Sequence, residues 1–146
     1  MQDYPLPKFH FQVEWGGSRL GFTEVSGLEV ETEMIEYRDG ASPEYNKRRI
    51  PGLRKYANIT LKRGTFANDN EFYDWWKKTA LFENLDNQRR DLTISLLNEA
   101  HEAVIVWTVK QAWPVKVTST DLKADANEVA IETLELAHEG LEVKAA

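Results

Sequence analysis

The chain has 146 residues, 18 Lys and Arg against 24 Asp and Glu, a formal net charge of −6, and no cysteine. The length suits one domain over residues 1–146 that needs neither disulfides nor a metal staple, and the missing thiols exclude a disulfide framework, a zinc ribbon and a cysteine nucleophile. Hydrophobic content of 42% with five Trp, five Tyr and six Phe excludes a disordered chain, and the acidic balance speaks against a dedicated nucleic-acid binder.

The opening segment, Met1 to Lys8, holds two prolines and no apolar signal core, so synthesis in the cytosol is expected. Phe9, Phe11, Val13 and Trp15 then alternate with polar residues, the period of a half-buried strand. Gly16-Gly17 reads as a hairpin turn into a short strand at Leu20–Val25. Leu28–Tyr37 is a long strand whose apolar phase slips by one after Met34, which calls for a bulge or bend. Residues 38–56, with Gly40, Pro43, Pro51 and Gly52, show no period and are expected to form a long loop. Ala57–Arg63 alternates again, with Ile59 and Leu61 opposite Asn58, Thr60 and Lys62, so the loop would join two arms of a broad hairpin.

One helix is expected. Asn68 can cap it with Glu71 at the third position, and Phe72, Trp75, Trp76 and Thr79 follow helical spacing. Lys77 and Lys78 fall in its last turn, where cations suit the dipole. Leu92–Leu97 and Ala103–Gln111 flank a hairpin turn at Asn98–Glu102, and Trp113–Ser119 is a further strand whose Pro114 suggests an edge or a bulge. Glu128–His138 is expected as the last strand, again with a phase slip. The sum is a mainly β domain: a small β-barrel or two packed antiparallel sheets with one flanking helix. The longest apolar run, Ala103–Trp107, is far below the ~20 residues of a membrane helix, so no stable membrane anchoring is expected.

Catalytic chemistry finds no foothold. No pair among His10, His101 and His138 has the spacing of a metal helix, and all three read as ordinary surface or turn residues. Nucleophile-elbow, phosphate-loop and dinucleotide fingerprints are missing. The many carboxylates read as solvated surface, and the aromatics as core. No catalytic residue, cofactor site or metal site is assigned, and the chain is not expected to be an enzyme. Charge layout is more informative. Five acids and no base lie between Glu24 and Glu36; seven bases and no acid lie between Lys47 and Arg63. Two opposed blocks suggest a self-complementary assembly surface.

Several segments carry a family resemblance: Pro5-Leu6-Pro7-Lys8-Phe9-His10-Phe11; Phe22-Thr23-Glu24-Val25-Ser26-Gly27-Leu28; Ile50-Pro51-Gly52-Leu53; Ile59-Thr60-Leu61-Lys62-Arg63-Gly64; Trp75-Trp76; and Arg90-Asp91-Leu92-Thr93-Ile94. In this order they resemble the tail-tube proteins of contractile phages and related injection machines. The tube protein of type VI secretion is a distant relative of that family. The resemblance implies a structural subunit forming hexameric rings. Such rings stack into a hollow inner tube, and a contracting sheath drives the tube, tipped by a spike, through a target membrane. Implied partners are further copies of the chain, the sheath, baseplate and spike proteins, and protein cargo in the lumen. The implied setting is a phage-tail-like particle assembled in the bacterial cytoplasm and released outside.

Within that family an extracellular injection system is favoured over a phage tail or tailocin. A specialised ring joining tube to baseplate stays open, as does, from another class, a monomeric β-barrel binding module. Two surfaces are expected. Lys47, Arg48, Arg49, Arg54 and Lys55 of the 38–56 loop, with Glu24, should carry the contact between rings; Glu29, Glu31, Glu33, Asn58, Thr60 and Lys62 should face the lumen.

Overall fold

The structure is a computed structural model that describes residues 10–16, 21–38, 40–41, 47–65, 69–81, 88–125 and 129–145. Phe9, Gly17, Asn68 as helix cap, residues 39 and 42–46 of the long loop, and Glu128 as a strand start lie outside them. The described strands are β1 (Phe11–Glu14), β2 (Phe22–Ser26), β3 (Val30–Tyr37), β4 (Arg48–Tyr56), β5 (Ile59–Gly64), β6 (Arg90–Leu97), β7 (Ala103–Ser119), β8 (Ile131–Ala137) and β9 (Gly140–Ala145). The helix α1 (Glu71–Ala80) lies between β5 and β6.

All pairings are antiparallel. The first half of β7 lies between β6 and β9, with β1 outside β6; its second half pairs with β8, followed by β5 and β2. One long strand therefore belongs to two sheets. Its change of course falls at Gln111, which has φ +55 and donates its amide to Asp91 Oδ1 at 3.0 Å, and at a bulge between Pro114 and Lys116. Alternation places Ile59 and Leu61 of β5, Leu92 and Ile94 of β6, Val109 and Ala112 of β7, and Leu134 and Leu136 of β8 inward. With Trp15, Phe72, Trp75 and Leu141 they form one core, to which each fully buried large apolar side chain contributes on the order of 1.5–3 kcal/mol. Among the described residues the sheet does not close: β1 and β2 end its path unpaired with each other, so it is an open two-sheet arrangement rather than a barrel.

Several sequence expectations need correction. The hairpin turn expected at Gly16-Gly17 lies partly outside the described residues, and among those described β1 and β2 are not partners: β1 pairs with β6 and β2 with β5. Residues 38–56 are not a loop throughout: Arg48–Tyr56 is β4, paired with β3 in a separate two-stranded sheet. The hairpin partner of β3 is thus β4, not β5. Neither strand buries a face, so the apolar–polar period that reveals strands was never imposed on β4. The register shift in this hairpin falls between Thr32 and Met34, where Gly52 and Leu53 of β4 stand opposite Glu33; the extra residue is on β4, and β3 runs evenly through the apolar phase slip after Met34. Trp113–Ser119 is the second half of β7, with the bulge expected at Pro114. β8 keeps an even register against β5, and β9 follows it after His138, so Glu128–His138 is not the last strand.

The helix buries Phe72, Trp75 and Thr79 as its spacing predicts. It is short, and packing holds it rather than propensity. Asp69 Oδ1 accepts the Glu71 amide at 3.2 Å, whereas the N-cap residue Asn70 makes no side-chain cap bond.

Gly27 stands at the exit of β2 with φ +86, and a Cβ there would lie 2.0 Å from the Asn58 carbonyl oxygen. The strand ends cannot part without breaking the β2–β5 register, so only hydrogen fits. Gly27→Ala should lower the unfolding free energy by about 1–3 kcal/mol in urea titrations; an unchanged midpoint would contradict this packing.

Candidate assembly surfaces

The opposed charge blocks meet within one chain. Register places Glu31 beside Lys55, Glu36 beside Arg49, Thr32 beside Arg54 and Tyr37 beside Arg48. Lys47 Nζ lies 3.5 Å from Glu36, with both side chains largely exposed. The same hairpin exposes Val30, Met34, Ile35, Tyr37, Ile50 and Leu53, the last at 78%. Exposed apolar side chains on a two-stranded sheet make this hairpin a candidate contact surface. At its root Leu28 and Tyr56 pack against the core, so the hairpin is anchored at one end.

A second surface is the outer face of the β7–β8–β5–β2 sheet. Direct cross-strand partners share a face, so Ser26, Thr60 and Glu135 line up, as do Glu24, Lys62, Thr133 and Thr118. Lys62 pairs with Glu24 at 3.2 Å, and Asn58 Nδ2 donates to Glu135 Oε1 at 3.1 Å. The six residues expected in the lumen therefore divide. Asn58, Thr60 and Lys62 belong to this polar wall, while Glu29, Glu31 and Glu33 are exposed on and beside β3. Glu24, grouped by sequence with the stacking residues, sits on the wall with Lys62, apart from the hairpin bases. None of these side chains is packed into the core.

Behind the wall is a cluster that charge counting missed. Arg63, one residue past Lys62, points inward and is only 1% exposed. Its Nε donates to Glu132 at 3.2 Å and its Nη2 to Asp69 at 3.0 Å, and its guanidinium carbon lies 4.0 Å from the Phe72 ring centre. Nη1 is buried with no hydrogen-bond partner among the described residues. Arg90 lies over Trp75 at 4.3 Å, and burial pulls its guanidinium below the ordinary value, partly offset by Glu71. The signal for Arg63 was its phase: it shares the parity of Ile59 and Leu61.

Apolar grooves open at the surface. One, of about 510 Å³, runs between Phe11, Val25, Leu28, Ile94, Leu96 and Trp107; another, of about 270 Å³, lies where α1 meets Trp113, Pro114 and Val115. Trp113 is thus available to a neighbour, whereas Trp15, at 2% exposure, is core. Among the described residues no three His, Asp or Glu side chains converge as metal ligands, and no helix is long and apolar enough to cross a membrane.

Residues 7–142 match the family model described as T4-like virus tail tube protein gp19. No curated protein matches the chain. Among solved structures, a chain of the anti-feeding prophage cap (AFP tube terminating cap) structure is 33% identical at TM-score 0.83, covering 100% of this chain and 95% of that one. A chain of the PVC sheath–tube complex, an extracellular contractile injection system in its extended state, is 34% identical at TM-score 0.82, with 99% and 94% covered. Hcp1 from Flavobacterium johnsoniae shares the fold at 14% identity and TM-score 0.59, with 94% and 97% covered.

Proposed function

The chain belongs to the T4-like virus tail tube protein family, and we propose that it is the inner-tube subunit of an extracellular contractile injection system. In this reading six copies close into a ring, rings stack into a hollow tube, and a surrounding sheath contracts to drive the tube through a target membrane. The observation that carries it is the full-length likeness, at 34% identity, to a chain of a sheath–tube complex. The open sheet edges and exposed hairpin agree, because a ring covers edges that an isolated β domain leaves free. Sheath, baseplate and spike proteins are the proposed partners, protein cargo the proposed content of the lumen, and a phage-tail-like particle built in the cytoplasm and released outside the proposed setting. The role is structural, not enzymatic. Asn58, Thr60 and Lys62 are proposed for the lumen wall together with Glu29, Glu31 and Glu33, and Lys47 with the β4 bases Arg48, Arg49, Arg54 and Lys55 for contact between rings, with Glu24 at the border of the two.

A second reading has a specific observation behind it: the 33% likeness to a chain of the tube-terminating cap structure is as strong as that to the chain of the sheath–tube complex. Negative-stain imaging of the purified chain distinguishes the cases. Rings that stack into tubes are expected for the main subunit, and rings that stay single and bind only tube ends for a terminator. A 16.8 kDa monomer at high concentration, absent from assembled particles, would refute both.

A further inference from the structure

We infer that the β3–β4 hairpin of one copy of the chain docks into the open groove between β1 and β2 of a second copy. The inference rests on the tube reading above and deepens it, because it names where one copy meets the next. Cross-strand register gives the hairpin two unlike faces. Ile35 stands opposite Ile50, and Tyr37 lies two residues along on the same face. Leu53 shares the face of Lys55, whose partner Glu31 alternates onto the face of Ile35. These four apolar side chains are exposed, from 48% at Ile50 to 78% at Leu53. Arg48, opposite Tyr37, and Lys55, opposite Glu31, bracket them on that face. The other face carries Glu36 with Arg49 and Thr32 with Arg54.

The groove has the matching chemistry. It opens where the sheet is left unclosed among the described residues. Phe11 of β1, Leu96 of β6 and Trp107 of β7 form one wall, and Val25 of β2 with Leu28 the other, around about 510 Å³. Phe11, Leu96 and Trp107 are only half-buried, so a copy that fills the space completes a core the single chain leaves open. The chain's own hairpin does not fill it, since Ile35, Tyr37, Ile50 and Leu53 are all exposed. Among the described lining residues Glu24 is the one charged side chain. Its carboxylate meets Lys62 at 3.2 Å and has a second oxygen for an incoming base. Arg48 or Lys55 supplies that base, and β4 itself brings no acid. The contact is unlike on its two sides, hairpin into groove, so each copy gives once and receives once and the assembly propagates.

The chain has no cysteine, so engineered thiols report this contact alone. A Leu53→Cys chain and an isotope-labelled Thr23→Cys chain, mixed and oxidised, should give the mixed disulfide dimer as the main product. Thr23 lines the groove and is exposed, as is Leu53, so both variants should unfold close to the wild-type urea midpoint. A Val115→Cys chain, with its thiol beside α1, is the control and should give far less mixed dimer with Leu53→Cys. Leu53→Asp should fold normally and need about tenfold more protein to reach the same assembly in sedimentation, the effect of losing roughly one buried leucine. Equal yields from Thr23→Cys and Val115→Cys overturn the docking. So does a Leu53→Cys, Thr23→Cys double variant that closes its disulfide within one chain at high dilution. Electron microscopy of the same samples separates this from the tube reading. Tubes without the mixed dimer overturn the hairpin contact alone; the mixed dimer in samples that never form rings upholds the contact and sinks the tube.

Discussion

Replacing Lys47, Arg48 and Arg49 together by Glu should leave rings that no longer grow into tubes. Head-to-tail stacking needs two different complementary patches and propagates without closing. One exposed ion pair contributes only ~0–1 kcal/mol, but a sixfold ring repeats every contact six times, so reversing three bases per chain acts on eighteen positions at each proposed ring junction. The structure adds a complication with a clean control. Lys47 already touches Glu36, and Arg49 is registered beside it, so the triple variant also sets like charges against each other across the hairpin. A swapped variant, Glu36→Lys with Lys47→Glu and Arg49→Glu, keeps opposite charges facing within the hairpin while changing what a neighbouring ring meets. Electron microscopy should show short or absent tubes for both variants. Normal tubes from the swapped variant would mean the bases act only within their own hairpin. Raising salt should shorten wild-type tubes, because exposed charges are screened beyond roughly 10 Å at 0.1 M.

How far the sequence could be read follows from what water-facing and core-facing residues each had to satisfy. β5, β6 and β8 bury one face, so alternation marks them, and Ile59, Leu61, Ile94 and Leu134 are legible as core. The helix announces itself through Phe72, Trp75 and Thr79 for the same reason. β4 carries Pro51 and Gly52 and buries no face, so nothing in its pattern separates it from a loop. Its pairing rests on β3, with Gly52 and Leu53 bulged opposite Glu33, and on Gly52's missing Cβ, which lets the Glu33 carbonyl approach. β9 fails to show because Glu142 and Lys144 alternate with only one buried residue, Leu141. Glu142 is ion-paired with Lys110 at 2.8 Å, which holds its carboxyl below the usual range and the Lys110 amine above it. The opposed charge blocks behind the proposed assembly surfaces were legible, but their geometry was not. Blocks widely spaced in the chain became neighbours only because β3 and β4 pair, and the polar wall took shape only through the β2–β5–β8 register.

Removing the guanidinium of Arg63 should cost about 3–5 kcal/mol, the penalty typical of breaking a buried charge pair from one side. Asp69 and Glu132 are 15% and 13% exposed at their side chains, so truncating Arg63 strands two carboxylates where water reaches them poorly. The loss spreads to the helix, because the Asp69 oxygen that meets Arg63 also accepts the amide of Glu71 at the start of α1. It spreads to the core as well: the guanidinium lies against Phe72, which with Trp15 and Phe22 forms the aromatic packing between helix and sheets. Lys cannot substitute, since a single ammonium does not reach two carboxylates with the fork that Arg offers. Against a total stability of about 5–15 kcal/mol for an ordinary domain, Arg63→Ala should unfold at much lower urea. Neutralising the stranded acids tests the cause. Adding Asp69→Asn and Glu132→Gln to Arg63→Met should recover most of the loss, because Asn keeps an acceptor for the Glu71 amide and no buried charge remains. If Arg63→Ala costs under about 1 kcal/mol, or the triple variant is no more stable than Arg63→Met alone, the buried charges are not what ties the helix to the sheet.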